Sequence, residues 1–330
     1  MTTSVALCTY NGVEFLAKQL DSIIRQTKPV DEIIICDDCS TDSTCNMVRQ
    51  YIKECPIRIR LIVNPVNIGY VFNFEQAISL CSGDIIFLSD QDDIWMLHKV
   101  ETICRFFEAH EDKEFVFTDA ELVNSWDVKS FDKTLFQAVG LDKVNKKIFD
   151  SGCPYDVLGI FSRITGATIA FRSSFLPYCV PFPVTQTPIV HDEIMGISAM
   201  LYHKIARMDE CLIKYRLHDK QTVGINILFK YTMDPWALAP RTIIWHEAVS
   251  KNDRNTGMDL LQFTYKRFWI RKQSFSFLRF IILYLHGEYR KHYPSPFPVF
   301  TRDMTGIFIR FADKIKQIPD LRIVHSRHVY

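Results

Sequence analysis

Residues Ile85–Trp95 read IIFLSDQDDIW. An apolar run with the length of a buried strand ends abruptly in Asp90, Asp92 and Asp93, three carboxylates within four positions. Ionised carboxylates packed this closely repel one another and raise each other's pKa. Either positive charge compensates the cluster or water solvates it, and the flanking sequence bears on which.

Working outward, SVALCTY (4–10) is a short apolar run that ends at Asn11-Gly12, a strand followed by a turn. VEFLAKQLDSIIRQT places Phe15, Leu16, Leu20, Ile23 and Ile24 at helical spacing. EIIICDD (32–38) predicts a second strand, and STDSTCNMVRQYIKE opens with capping residues before a helix. IRIRLIVN (57–64), VFNFEQAISLCS (71–82) and DIIFLSD (84–90) continue the alternation as strand, helix and strand. Near-continuous apolar strands alternating with helices predict a parallel sheet covered on both faces. Ligands of such sheets bind beyond the carboxyl ends of the strands. Those ends here carry Thr9-Tyr10-Asn11, Asp37-Asp38, Asn67 with Gly69, and the Asp90–Asp93 cluster. One polar strand end is ordinary; four, two of them with paired aspartates, predict a shared site.

Composition is that of an ordinary globular protein with a sizeable core: 330 residues, 48% hydrophobic and 23% charged. The net charge of +1 is not that of a nucleic-acid binder, but it hides an asymmetry. Residues 1–240 hold 23 Lys/Arg against 31 Asp/Glu, and residues 241–330 hold 16 against 7, a basic tail on an acidic body. The N-terminus MTTSVALCTYNG has neither a charged n-region nor a long apolar h-region, so no secretory signal is expected and the ten cysteines are expected to stay reduced. Cys36 and Cys39 form a C-x-x-C without a second pair or nearby His, and read as incidental.

The segments TYNG (9–12), QLDSIIRQT (19–27), DDCSTDST (37–44), NIGY (67–70), CSGDIIFLSDQDDIW (81–95), TGATIAF (165–171), HDE (191–193) and YRLHDKQTVG (215–224) together resemble a family 2 glycosyltransferase. SDQDDIW is similar to the form found in bacterial O-antigen and capsule enzymes of the rhamnosyltransferase-like group. The departures are Cys39 where the family has a turn glycine, and Glu193 where an aromatic is frequent. The resemblance implies a GT-A fold, a Rossmann-like, mostly parallel α/β sheet flanked by helices. It covers residues 1–224, with a nucleotide-sugar half (1–95) and an acceptor half (96–224), followed by a C-terminal extension (225–330).

It also implies an inverting transfer from a UDP- or dTDP-sugar, of rhamnose, glucose or galactose, onto a glycan hydroxyl. Asp90-Gln91-Asp92 matches the family's D-x-D, with Asp92 a ligand of Mn²⁺ or Mg²⁺ and Asp90 on the ribose or a metal-bound water. Hard cations of this kind take carboxylate oxygens together with substrate phosphates. Asp93 is expected to bond locally and cap the helix WMLHKVETICRFFEAH. Asp38 matches the base-reading position, with Thr9, Tyr10, Asn11, Asn67, Gly69 and Gln91 around the nucleotide; Tyr10 stacks on the base or is an ordinary strand aromatic. Asp37 reads as structural. Asp192 is the expected general base, near a helix N-terminus that favours its ionised form, with Glu193 its rival. Thr165, Gly166, His191 and Glu193 are expected beside the acceptor. His218 is expected to complete the metal or diphosphate site, and Arg216 either binds phosphate or pairs with an acid of the body.

In the tail, FSFLRFIILYL is too short to span a bilayer and is interrupted by Arg279. Mixed Lys, Arg, Trp and Phe suit helices on an anionic membrane surface, where a polyprenyl-diphosphate-linked acceptor resides; the other reading is a helical subdomain packed on the body. The expected location is the cytoplasmic face of the plasma membrane. A non-catalytic nucleotide-sugar binder or a scaffold of the assembly machinery is the alternative.

Overall fold

The computed structural model describes residues 1–141, 143–150, 163–182, 190–221, 281, 283–287, 290–291, 300 and 304. β1 (Thr3–Thr9), β2 (Glu32–Asp37), β3 (Arg58–Val63) and β4 (Ile85–Ser89) alternate with α1 (Leu16–Ile24), α2 (Thr44–Glu54) and α3 (Tyr70–Ser79). There follow β5 (Ile94–Trp95), α4 (Lys99–Ala109), β6 (Phe115–Asn124), β7 (Lys129–Thr134), α5 (Leu135–Ala138), α6 (Lys143–Asp150), β8 (Ile169–Arg172), α7 (Leu176–Cys179), α8 (His191–Leu201) and β9 (Ile205–Leu217). Every residue of β1, β2 and β4 is buried, which is why these strands read as unbroken apolar runs. α1 buries Leu16, Leu20 and Ile23 in the core that also holds Val5, Leu7, Ile33, Ile35 and Phe87. Each such aliphatic side chain contributes about 1.5–3 kcal/mol.

The sheet order is β3-β2-β1-β4-β8-β6-β9-β5, with β7 beside β6. β1 pairs in parallel with both β2 and β4, so the order reverses between β1 and β4, and a crevice opens at their carboxyl ends. Beyond β4 the expected parallel pattern gives way to a mixed sheet, in which β8 runs antiparallel to β4 and β6. That antiparallel run brings the residues just before β8 beside the end of β4.

Two expectations are corrected. Trp95 does not open a helix; with Ile94 it pairs with Ile213 and Lys214 as β5, and α4 begins at Lys99. Asp93 does not cap α4, whose N-cap position is His98; its Oδ1 accepts from the Arg216 N–H at 2.9 Å.

The chain divides into two compact units, Met1–Asp142 with Ile160–Asn252, and Lys143–Gly159 with Asp253–Tyr330. In the second, the Tyr284 and Phe300 rings lie 4.3 Å apart. The expected boundary at 224/225 and nearly all of the basic tail lie outside the described residues. No helix among the described residues is long and apolar enough to cross a membrane. The described cysteines are free thiols, Cys36 and Cys39 included.

Candidate active site

The first strand's end is locked to two neighbouring loops. Thr9 Oγ1 donates to Asp37 Oδ2 at 2.6 Å, and Asp37 also accepts from the Ser40 hydroxyl at 2.6 Å, the structural duty expected of it. Asn11, at φ 47°, accepts from the Thr41 N–H at 2.9 Å through its side chain. Gln91 pairs its amide with the Tyr10 backbone, accepting at 2.9 Å and donating at 3.1 Å. A Cβ on Gly12 would stand 2.0 Å from Gln91 Oε1, so only glycine admits this pairing. Gln91, expected at the nucleotide, therefore ties the 9–12 turn to the acidic turn. The Tyr10 ring is 48% exposed at the crevice edge.

Cys39 adopts φ 67°, the left-handed region that favours glycine. The strain of an L-residue there is about 1–2 kcal/mol, partly offset by glycine's greater freedom when unfolded. Cys39→Gly is expected to raise the melting temperature by a few degrees, for a net gain of about 0.5–1 kcal/mol. A lower melting temperature would show that the thiol's contact with the Pro65 carbonyl, 3.8 Å away, outweighs the backbone.

Asp38 is buried and holds the 67–69 loop. Its Oδ1 accepts from the Ile68 N–H at 2.8 Å and from Asn64 Nδ2 at 3.1 Å, and its Oδ2 accepts from the Gly69 N–H at 2.9 Å. Gly69 has φ 84°, and Asn67 closes the turn by accepting from Gly69 N–H at 3.1 Å. A carboxylate has about four acceptor positions, and these three bonds leave one of them unfilled.

At the acidic turn, β5–β9 pairing carries His218 to Asp92, with Nε2 and Oδ2 2.8 Å apart. Phe15 packs its ring on His218 at 4.8 Å. Arg216 is corrected as a phosphate ligand. It is 0% exposed, donates from Nε to the Asp92 carbonyl at 2.6 Å, pairs with Asp127 and lies over the Phe15 ring. It pairs with an acid of the body, the other reading of its sequence.

Burial, with Asp92 adding, pushes the Asp90 carboxyl up to about 7. The same causes, with Asp90 contributing, raise Asp93, whose Oδ2 has no hydrogen-bond partner. Lys99, fully buried and itself pulled down to about 7 by burial, opposes both shifts. Sequence reading missed Lys99, because a lysine early in a helix normally reads as solvated. The signal was present in the three carboxylates, which call for a counter-charge.

The acceptor-side residues converge on α8. Asp192 lies in its first turn; its Oδ2 accepts from the Gly166 N–H at 3.1 Å, and its Oδ1 has no partner. Burial first, and then the Glu193 charge, push the Asp192 carboxyl up to about 8. Both His191 nitrogens lack hydrogen bonds; the ring is 5% exposed, stacks on Phe74 at 4.0 Å, and burial pulls it down to about 3. It is a neutral packing group rather than a proton carrier. A Cβ on Gly166 would stand 2.6 Å from His191 Nε2, so the turn and α8 close on each other only with glycine. The Thr165 carbonyl accepts from the Thr168 hydroxyl at 2.7 Å and shapes that turn.

Among the described residues no group of three or more His, Cys, Asp or Glu is arranged to hold a metal ion by itself. The touching Asp92–His218 pair offers one carboxylate and one imidazole, donors that a divalent cation shared with phosphates would fit.

A mixed sheet whose order reverses between β1 and β4, with an acidic turn after β4, is the GT-A fold of nucleotide-diphospho-sugar transferases. The model described as glycosyl transferase family 2 matches residues 4–147 of the chain. An uncharacterized glycosyltransferase of Nostoc sp., alr2836, is 26% identical over 219 residues, 66% of this chain and 65% of its own length. Putative glycosyltransferase EpsE of Bacillus subtilis is 32% identical over 126 residues, 38% of this chain and 45% of its own. The chain thus spans less than two thirds of both relatives. Putative teichuronic acid biosynthesis glycosyltransferase TuaG of B. subtilis is 32% identical over 31% of this chain and 40% of its own length. The crystal structure of S. aureus TarS 1-349 in complex with UDP superposes with TM-score 0.51 at 17% identity, covering 82% of this chain and 78% of that one, which is a likeness of fold.

Proposed function

We propose that the chain is an inverting glycosyltransferase that moves a sugar from a UDP- or dTDP-sugar to a hydroxyl of a growing bacterial surface glycan. The observation that carries this reading is one crevice with two chemistries. The Asp92–His218 pair lies at the end of β4, and the unpartnered Oδ1 of Asp192 belongs to the loop pair held by Gly166. The UDP complex of TarS and the teichuronic acid name of TuaG support a nucleotide-sugar donor and a surface-glycan product.

In this reading Tyr10, Asp38, Asn67 and Gly69 take the nucleoside, with the free acceptor position of Asp38 directed to a pyrimidine ring N–H. Asp92 and His218, with Asp90, would hold Mn²⁺ or Mg²⁺, which when bound would neutralise charge on the departing diphosphate. Asp192 Oδ1 takes the proton of the acceptor hydroxyl as its oxygen attacks the anomeric carbon from the face opposite the leaving group. The bond from the anomeric carbon to the diphosphate oxygen breaks, the nucleoside diphosphate leaves, and configuration inverts. The rhamnosyltransferase-like form of SDQDDIW favours a deoxyhexose or hexose donor. The basic tail suits a lipid-linked acceptor at the cytoplasmic membrane face.

Purified protein incubated with a panel of UDP- and dTDP-sugars, with and without EDTA, is expected to release nucleotide diphosphate from at least one donor only when divalent metal is present. Product NMR is expected to show the inverted anomer. Donor binding without release or transfer across the panel, with saccharide acceptors supplied, would favour the non-catalytic binder instead.

A further inference from the structure

His218 Nε2 lies 2.8 Å from Asp92 Oδ2, and Arg216 donates to the Asp92 carbonyl and pairs with Asp127. Lys99, the first residue of α4, is 0% exposed. Its Nζ lies 3.9 Å from the centre of the Trp95 ring and donates to the Ala167 carbonyl at 3.0 Å, and burial pulls the group down to about 7 against the opposing charges of Asp93 and Asp90. Taking an ammonium out of water is costly, and a chain retains one where its contacts repay it.

The Ala167 carbonyl belongs to the 3-10 turn Gly166–Thr168, and the N–H of Gly166 is the group that holds Asp192 Oδ2. One side chain therefore joins Trp95, two residues past the acidic turn, through its ring, to the turn that holds Asp192, by a hydrogen bond. Trp95 completes the seat, since its strand β5 pairs with β9, the strand that delivers His218. We propose that Lys99 is a positioning residue: it fixes the 166–168 turn against the acidic turn and so sets where the free oxygen of Asp192 points relative to the donor. This rests on the reading of Asp192 as the base. It adds a link between the donor and acceptor halves through a residue that touches neither substrate.

The test is a cycle of transfer rates in wild type, Lys99→Met, Asp192→Asn and the double variant, with fold checked by circular dichroism and melting. Lys99→Met is expected to lower kcat roughly 10- to 100-fold, the cost of about an ångström's misplacement, with donor KM changed less than about threefold. In the Asp192→Asn background the same change is expected to cost less than about threefold, because nothing is left to position. Equal losses in both backgrounds, or no loss in wild type, would overturn the proposal. If Lys99→Met does not fold, Lys99→Met with Asp93→Asn, which removes the opposed charges together, is compared with Asp93→Asn in both backgrounds. Failure of that variant to fold assigns Lys99 to stability and also overturns it. If Asp192→Asn is as active as wild type, the base reading fails first, a result distinct from additive losses, and the positioning role falls with it.

Discussion

Asp192→Asn should leave nucleotide-sugar binding within about threefold of wild type and cut turnover by roughly 10²–10⁴-fold, the share that general-base catalysis supplies. The reason is local. Oδ2 is held by the Gly166 N–H, and Oδ1 has no partner in the fold. An asparagine keeps the shape and loses the ability to accept the proton. The pH profile gives a second measurement. Burial and the Glu193 charge push the Asp192 carboxyl up to about 8. A base acts when deprotonated, so the rate should rise with pH through that region rather than near the ordinary carboxylate pKa of about 4. Glu193→Gln removes the neighbouring negative charge and should move this limb to lower pH. If Glu193→Gln abolishes turnover while Asp192→Asn is tolerated, the roles of the two carboxylates are reversed.

Asp92→Asn is expected to keep the fold, because it relieves repulsion in the acidic turn and its amide oxygen still accepts from His218. Transfer should fall by about 10²-fold or more, since metal stabilisation of a departing diphosphate is worth several kcal/mol and each 1.4 kcal/mol is tenfold. Calorimetric titration of Mn²⁺ in the presence of UDP, without acceptor, should show weakened binding in the same variant. Full activity in Asp92→Asn, or undiminished wild-type activity in excess chelator, would remove the metal from the mechanism.

Much of the crevice was legible in the sequence because it depends on local pattern. Apolar runs of strand length, each followed by a turn, placed Thr9–Asn11, Asp37-Asp38, Asn67–Gly69 and Asp90–Asp93 at strand ends, where the structure has them. Cys39 stands where the family it resembles has a turn glycine, and its φ of 67° agrees. The reading of Asp93 as a helix cap followed local capping rules, but long-range pairing prevailed. Ile94 and Trp95 gain more as a strand against β9 than as a first helical turn, and Asp93 then faces the Arg216 N–H.

By itself the sequence determined the alternation of strands and helices, the edge of the sheet that carries the polar residues, and the family that its motifs resemble. Hydrophobic period and turn chemistry act over a few residues, and a single chain displays them openly. Only the tertiary structure decided the partner of each charge: His218 on Asp92 across 126 positions, Arg216 on Asp127 across 89, and Lys99 on the Ala167 carbonyl across 68. Burial makes an unpaired charge costly, so those pairings determine which carboxylates remain free to act. They are set by strand order and crossing, which no local pattern records.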